Sequence, residues 1–171
     1  DRERADAFGV QFFDLLVQAP HTRPARKVAQ GGERWLTIHR YATTAEAFAA
    51  LHSESYSVAV AVKRRGAVPV GRLRAQERVA LWFGNEHNGA SREAIDAADL
   101  HFWIPLVGMT QSLNISVAAA VSLSTVTEGR PRGLPRAVAA NLRAAWYRRD
   151  VRGADAILRR FNALPSPAAE S

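Results

Sequence analysis

The feature that most constrains this chain is a succession of short, unbroken apolar runs, each followed by a stretch long enough for a helix. Tyr56 to Val62 (YSVAVAV) and Arg78 to Phe83 (RVALWF) lack the polar alternation of a strand with one wet face. Strands of that kind are covered on both sides, which is the signature of a mostly parallel sheet sandwiched between helices. The expected fold class is therefore α/β. Val10 to Val17 (VQFFDLLV), Trp35 to His39 and His101 to Leu106, the last broken by Pro105, read as further strands.

Helices are expected between them. Thr43 or Thr44 caps one through Leu51, with Glu46 in its first turn, and Ser91 caps another through Ala98. Ser112 or Asn114 opens a long Ala/Val-rich helix to about Thr127. After a basic break from Gly129 to Gly133, Pro135 stands at the first position of a helix through Arg149. A last amphipathic helix spans about Ala154 to Leu164, ahead of a short tail. The polar loop from Pro20 to Arg34 carries Arg23, Arg26 and Lys27, and Lys63-Arg-Arg-Gly66 ends the third strand.

Composition narrows the chemistry. The 171 residues suit one domain with at most a small appendage. There is no cysteine, which excludes disulfides, Fe–S clusters, thiolate zinc and a cysteine nucleophile. No apolar run approaches the roughly 20 residues of a membrane-spanning helix, and no membrane partner is expected. The chain opens on Asp-Arg-Glu-Arg rather than methionine, so a preceding N-terminal piece is expected. A formal charge of +7, from 23 basic against 16 acidic residues, raises the prior for a polyanionic partner. All the basic residues but Lys27 and Lys63 are arginine, the residue suited to bidentate phosphate contact, although a GC-rich genome also favours arginine.

No GxGxxG, Walker A or GxSxG pattern is present, and the five histidines show no metal-ligand spacing, so no metal is expected. What stands out is a pair of polar, glycine-containing loops, GNEHNGAS and GMTQSLNIS, after two successive buried strands. Ligands of parallel sheets bind beyond the carboxyl ends of strands. Gly84 and Gly89 allow close backbone approach, while Ser112 and Asn114 offer a hydroxyl, an amide and helix-start N–H groups. Read on their own, Ser112 and Asn114 serve equally well as plain caps and Glu86 as a turn residue.

Taken together, GNEHNGAS and IPLVGMTQSLNISVAAAVSL resemble the second and third motifs of TrmH-type SPOUT RNA methyltransferases. Asp6 to Val10 (DAFGV) is similar to the end of the first motif, and GLP…NLRAAWYRRDVRGADAIL to the C-terminal helices of the tRNA branch. The resemblance implies a deep trefoil-knotted catalytic domain over residues 1–129, its start truncated, and a helical extension and tail over 130–171. It implies S-adenosylmethionine as cofactor, contacted at Gly84, Ile104 and Leu113 and lined by Asn85, Leu106 and Ser112. It also implies a homodimer, joined through the long helix, that methylates a ribose 2′-hydroxyl of RNA; that substrate and the lack of targeting signals make the cytoplasm the expected location. The expected target is the guanosine at position eighteen of the tRNA D-loop.

Catalytic roles carry over to Glu86, Ser112 and Asn114. The first-motif arginine does not carry over directly: its slot falls on Glu3, between Arg2 and Arg4. A missing piece of chain, a local shift that lets Arg2 or Arg4 serve, and loss of the group are all open. Arg130, Arg132, Arg148 and Arg149 are the chief candidates for RNA contact, with Arg143 and Arg152 beside them; each alone also reads as a solvated surface residue. Ribosomal RNA methylation and a non-catalytic RNA-binding scaffold are the alternative functions.

Overall fold

The computed structural model describes residues 12–16, 37–85, 87–109, 112–130 and 136–162. Two compact units divide the chain, Asp1–Arg130 and Pro131–Ser171.

In the first unit the strands are β1 (Phe12–Leu16), β2 (Thr37–Tyr41), β3 (Ser57–Ala61), β4 (Val68–Pro69), β5 (Val79–Trp82) and β6 (Leu100–Trp103). The helices are α1 (Thr44–Ser53), α2 (Arg92–Ala97) and α3 (Ile115–Thr127), with a 3₁₀ helix at Val70–Ala75. All the pairings between these described strands are parallel, as the apolar runs require. Among the described residues they form two sheets rather than one: β1 with β2, and a four-stranded sheet ordered β4-β6-β3-β5.

Burial explains why β3 has no polar face. Val58 and Val60 pack with Ala47 and Phe48 of α1 and Ala94 of α2. Ala59 faces a second cluster with Val70, Leu73, Phe102 and Val126. Successive residues of a strand point to opposite faces, so β3 is covered by α1 and α2 on one side and by the 3₁₀ helix and α3 on the other. Fully burying a side chain such as Val or Phe is worth about 1.5–3 kcal/mol, and both clusters are fully or nearly fully buried.

Helix starts follow the capping chemistry. Thr43, not Thr44, caps α1, forming a reciprocal capping box with Glu46. Ser91 caps α2 and Asn114, not Ser112, caps α3. Three expectations are corrected. The strand read through Leu106 begins at Leu100 and ends at Trp103; Pro105 has no N–H to give a ladder. β4 and the 3₁₀ helix, within VPVGRLRA, carry no strand or helix pattern and were not foreseen. The strand read as ending at His39 continues to Tyr41.

The second unit contains α4 (Arg136–Asp150) and α5 (Ala154–Asn162). They are joined by a turn in which Gly153 takes a φ of +75°. No described helix is long and apolar enough to cross a membrane. The expected loop at 20–34 and the tail lie outside the described residues.

Candidate active site

β6 delivers the chain to the site. After Trp103 the backbone leaves the sheet, and by Val107 and Met109 the side chains are fully exposed. It returns at Ser112–Asn114, where Asn114 Oδ1 accepts the Ser116 N–H at 2.9 Å and sets the first turn of α3. The space between the end of β6 and the start of α3 is a cleft of about 250 Å³. Its walls are Trp103, Ile104, Leu106, Gly108, Met109, Ser112, Leu113 and Ala118, with Lys63 from the end of β3. Of these residues Lys63, Trp103 and Ser112 carry polar side-chain groups, the rest being apolar or glycine.

Four expected cofactor positions, Ile104, Leu106, Ser112 and Leu113, thus meet in one cleft. Gly84 and Asn85 are not among its lining residues; they stand at the end of β5, in a loop closed on itself. Asn85 and Gly89 exchange both backbone hydrogen bonds at 3.0 Å. Asn85 Oδ1 accepts the His87 N–H at 3.0 Å and the Asn88 N–H at 2.6 Å. The Asn85 carbonyl oxygen of the side chain therefore holds the loop. Gly84 is required sterically, because a Cβ there would lie 1.8 Å from the Gly89 carbonyl carbon.

Of the expected catalytic residues, Ser112 lines the cleft and Asn114 holds the helix start beside it. Arg2, Arg4 and Glu86 lie outside the described residues, as does Arg132. Three of the arginines expected to meet RNA, Arg130, Arg148 and Arg149, have intramolecular partners. Arg130 donates to the carbonyls of Arg74 and Glu77, each at 3.3 Å, and of Gln76 at 2.5 Å, tying the end of α3 to the end of the 3₁₀ helix. Arg74 reinforces that junction through the Thr125 carbonyl and the Glu128 carboxylate. In the second unit Arg148 forks onto Asp155 at 2.9 and 3.1 Å. Arg149 pairs with Asp150 at 3.0 Å.

Lys63 is the site residue that sequence reading passed over, having treated it only as the end of a strand. The signal was its position: a cation at the carboxyl end of an interior strand of a parallel sheet. Away from the cleft, Asp99 accepts the Val58 N–H at 2.7 Å and His52 Nε2 at 2.8 Å. Burial works to raise its pKa, but these hydrogen bonds and the His52 charge together hold it below the usual carboxylate range.

Known proteins share the sequence pattern and the fold. The sequence pattern of the SpoU rRNA Methylase family matches residues 4–124. The "tRNA (guanosine(18)-2'-O)-methyltransferase" of Borreliella burgdorferi is 32% identical over 130 residues, 73% of this chain and 60% of that protein. The Aquifex aeolicus "TrmH/SpoU tRNA modifying enzyme" superposes with a TM-score of 0.73 at 21% identity, covering 88% of this chain and 81% of that one. The "SpoU Methyltransferase AviRb" of Streptomyces viridochromogenes, crystallised "in complex with the cofactor AdoMet", does so with 0.60 at 21% identity over 75% and 53%. The chain spans about half to three fifths of the length of the first curated relatives it matches.

Proposed function

The chain belongs to the SpoU rRNA methylase family, and from that premise we propose that it transfers a methyl group from S-adenosylmethionine to a ribose 2′-hydroxyl of RNA. The first substrate to test is the guanosine at position eighteen of tRNA, the nucleotide in the relative's name. The observation that carries this reading is the convergence of Ile104, Leu106, Ser112 and Leu113 on one cleft at the carboxyl end of β6.

The cleft's chemistry fits the nucleoside part of that cofactor. At about 250 Å³ it falls just below the range of drug-sized pockets, which begins at about 300 Å³, and so suits part of the cofactor rather than the whole. Branched apolar side chains face a purine from its sides, and irregular backbone at 104–109 leaves N–H and C=O groups for its edge. When bound, the cofactor supplies an electrophilic methyl group on a cationic sulfur, so the leaving group departs neutral and no metal is needed. The protein's task is to bring a weakly nucleophilic hydroxyl into line and ease its proton away. Ser112 provides a hydroxyl within the cleft to orient the ribose. Asn114 keeps the α3 start in place through its cap. Glu86 is the carboxylate suited to receive the proton. Arg2 or Arg4 would orient the hydroxyl or steady charge beside a phosphate, since a guanidinium stays protonated and cannot be the base.

The proposed enzyme is knotted, dimeric and cytoplasmic. The knot is supported by the connection at residues 62–67. It passes from β3 to β4 across the end of β6, which lies between them. A second copy would cover Val117 and Val121 on one face of α3 and the exposed Leu106, Val107 and Met109. The cytoplasmic placement follows from the proposed tRNA substrate.

The test is incubation with labelled S-adenosylmethionine and an unmodified tRNA transcript, then mapping of the methylated nucleotide. Label on the D-loop guanosine is the expected result. Transfer confined to ribosomal RNA would remove the tRNA assignment and keep the chemistry. Cofactor binding with no transfer to either RNA would point to a non-catalytic scaffold and to Glu3 as a true loss.

A further inference from the structure

The turn that carries the chain from β3 to β4 holds Lys63, Arg64 and Arg65 in succession, and nothing in the site described so far uses the two arginines. We propose that this turn is a phosphate-binding rim, which holds the RNA backbone next to the nucleotide entering the cleft. The proposal rests on RNA being the substrate.

Topology puts the turn at the site. Ala61 of β3 and Val68 of β4 both pair with Phe102 of β6, from opposite sides. Residues 62–67 therefore cross the carboxyl end of β6, where Trp103 and Ile104 lead into the cleft. Lys63 is itself part of the cleft wall. The turn is also held in shape. The Val62 N–H donates to the Phe102 carbonyl at 2.9 Å and the Ala67 N–H to the Arg64 carbonyl at 3.1 Å. Gly66 takes a φ of +88° at the third position of that turn, as a type II turn requires.

Charge supplies the rest of the argument. Lys63, Arg64 and Arg65 are all exposed. Among the described residues none of them has an ion pair or side-chain hydrogen bond, unlike Arg74, Arg130, Arg148 and Arg149. Three adjacent like charges repel one another until an anion arrives. A single cofactor carboxylate would engage only Lys63, the charged side chain of the cleft wall. A row of three outside and at the rim matches the repeating charge of a nucleic-acid backbone.

The test compares the wild-type chain with Arg64→Gln/Arg65→Gln and, separately, Lys63→Gln. Affinity for unmodified tRNA transcript is measured at several salt concentrations, and affinity for S-adenosylhomocysteine by calorimetry. At roughly 0.7 released counterions per contact, the double variant lowers the slope of log K against log salt by about 1.4 and weakens binding about tenfold near 0.15 M salt. Lys63→Gln lowers the slope by about 0.7. The double variant keeps wild-type affinity for S-adenosylhomocysteine, and Arg64→Lys/Arg65→Lys restores the slope. RNA affinity and slope unchanged in both glutamine variants would overturn the proposal. So would loss of S-adenosylhomocysteine binding with RNA affinity intact, which would assign the turn to the cofactor. A wild-type chain that binds neither ligand would instead overturn the methyltransferase reading.

Discussion

Replacing Gly84 by alanine probes the join between loop geometry and cofactor binding. The new Cβ would sit 1.8 Å from the Gly89 carbonyl carbon, 2.0 Å from Ala90 N and 2.1 Å from Gly89 O, where ordinary contact is 3.4–4 Å. All three neighbours are backbone atoms, so no side chain can swing aside. The loop must open and give up the paired Asn85–Gly89 hydrogen bonds together with the two amides held by Asn85 Oδ1. At about 1 kcal/mol net for each bond the ceiling is about 4 kcal/mol. His87, Asn88 and Gly89 are exposed and recover water on opening, which brings the expected cost to about 2 kcal/mol. For a chain of this size that corresponds to a fall in Tm of about 4–8 °C by calorimetry. Affinity for S-adenosylhomocysteine falls with it if the loop borders the cofactor. Gly108 is the control: a Cβ there meets nothing within 4 Å, so Gly108→Ala leaves Tm unchanged. A Gly84→Ala protein that melts with the wild type would refute the steric argument. One that melts lower yet binds S-adenosylhomocysteine normally would make the loop purely structural.

Three further outcomes are expected. Arg130→Ala removes three carbonyl contacts at the α3–3₁₀ junction and costs about 2 kcal/mol in urea unfolding, while the salt dependence of RNA binding stays as in wild type; a slope reduced by about 0.7 would return Arg130 to RNA contact. Asp99→Ala loses the acceptor for the Val58 N–H; with the carboxylate side chain 41% exposed, screening limits the cost to about 1 kcal/mol at neutral pH. Because the folded-state pKa of Asp99 is depressed, this contribution is present above the unfolded carboxylate value of about 3.9 and is lost as pH falls through the folded one. Denaturation curves of the two proteins should converge in strong acid, and a gap that persists there would disprove the linkage. Ser122 is fully buried, and its hydroxyl has no hydrogen-bond partner among the described residues; Ser122→Ala should be neutral or stabilise by about 1 kcal/mol, and a clear loss of stability would reveal a partner.

The parts of the fold legible from sequence were those whose signals are local. β3 and β5 announce themselves through apolar runs, and Thr43, Ser91 and Asn114 through their caps. β4 does not, because Val68 and Pro69 are a strand only by virtue of β6 beside them. The end of β6 was misread for a related reason: HFWIPL is uniformly apolar, but only its first residues are in the sheet, and Ile104 and Leu106 line the cleft instead. Ile104, Leu106, Ser112 and Leu113, expected together from a motif spanning one loop, do line one cleft. The surroundings of Arg130 and Lys63 were not legible, for opposite reasons. An arginine after a helix reads as solvated, yet carbonyls distant in sequence claim Arg130. A lysine after a strand reads as punctuation, yet the crossing at residues 62–67 brings Lys63 to the cleft.

The central claim is that the cleft between β6 and α3 is the cofactor site, and a crystal structure with S-adenosylhomocysteine bound tests it most directly. The expected result is the adenosine moiety against Ile104, Leu106, Ser112 and Leu113, with the Gly84 loop beside it. Ligand bound elsewhere on the chain, with that cleft empty at saturating concentration, would contradict the account.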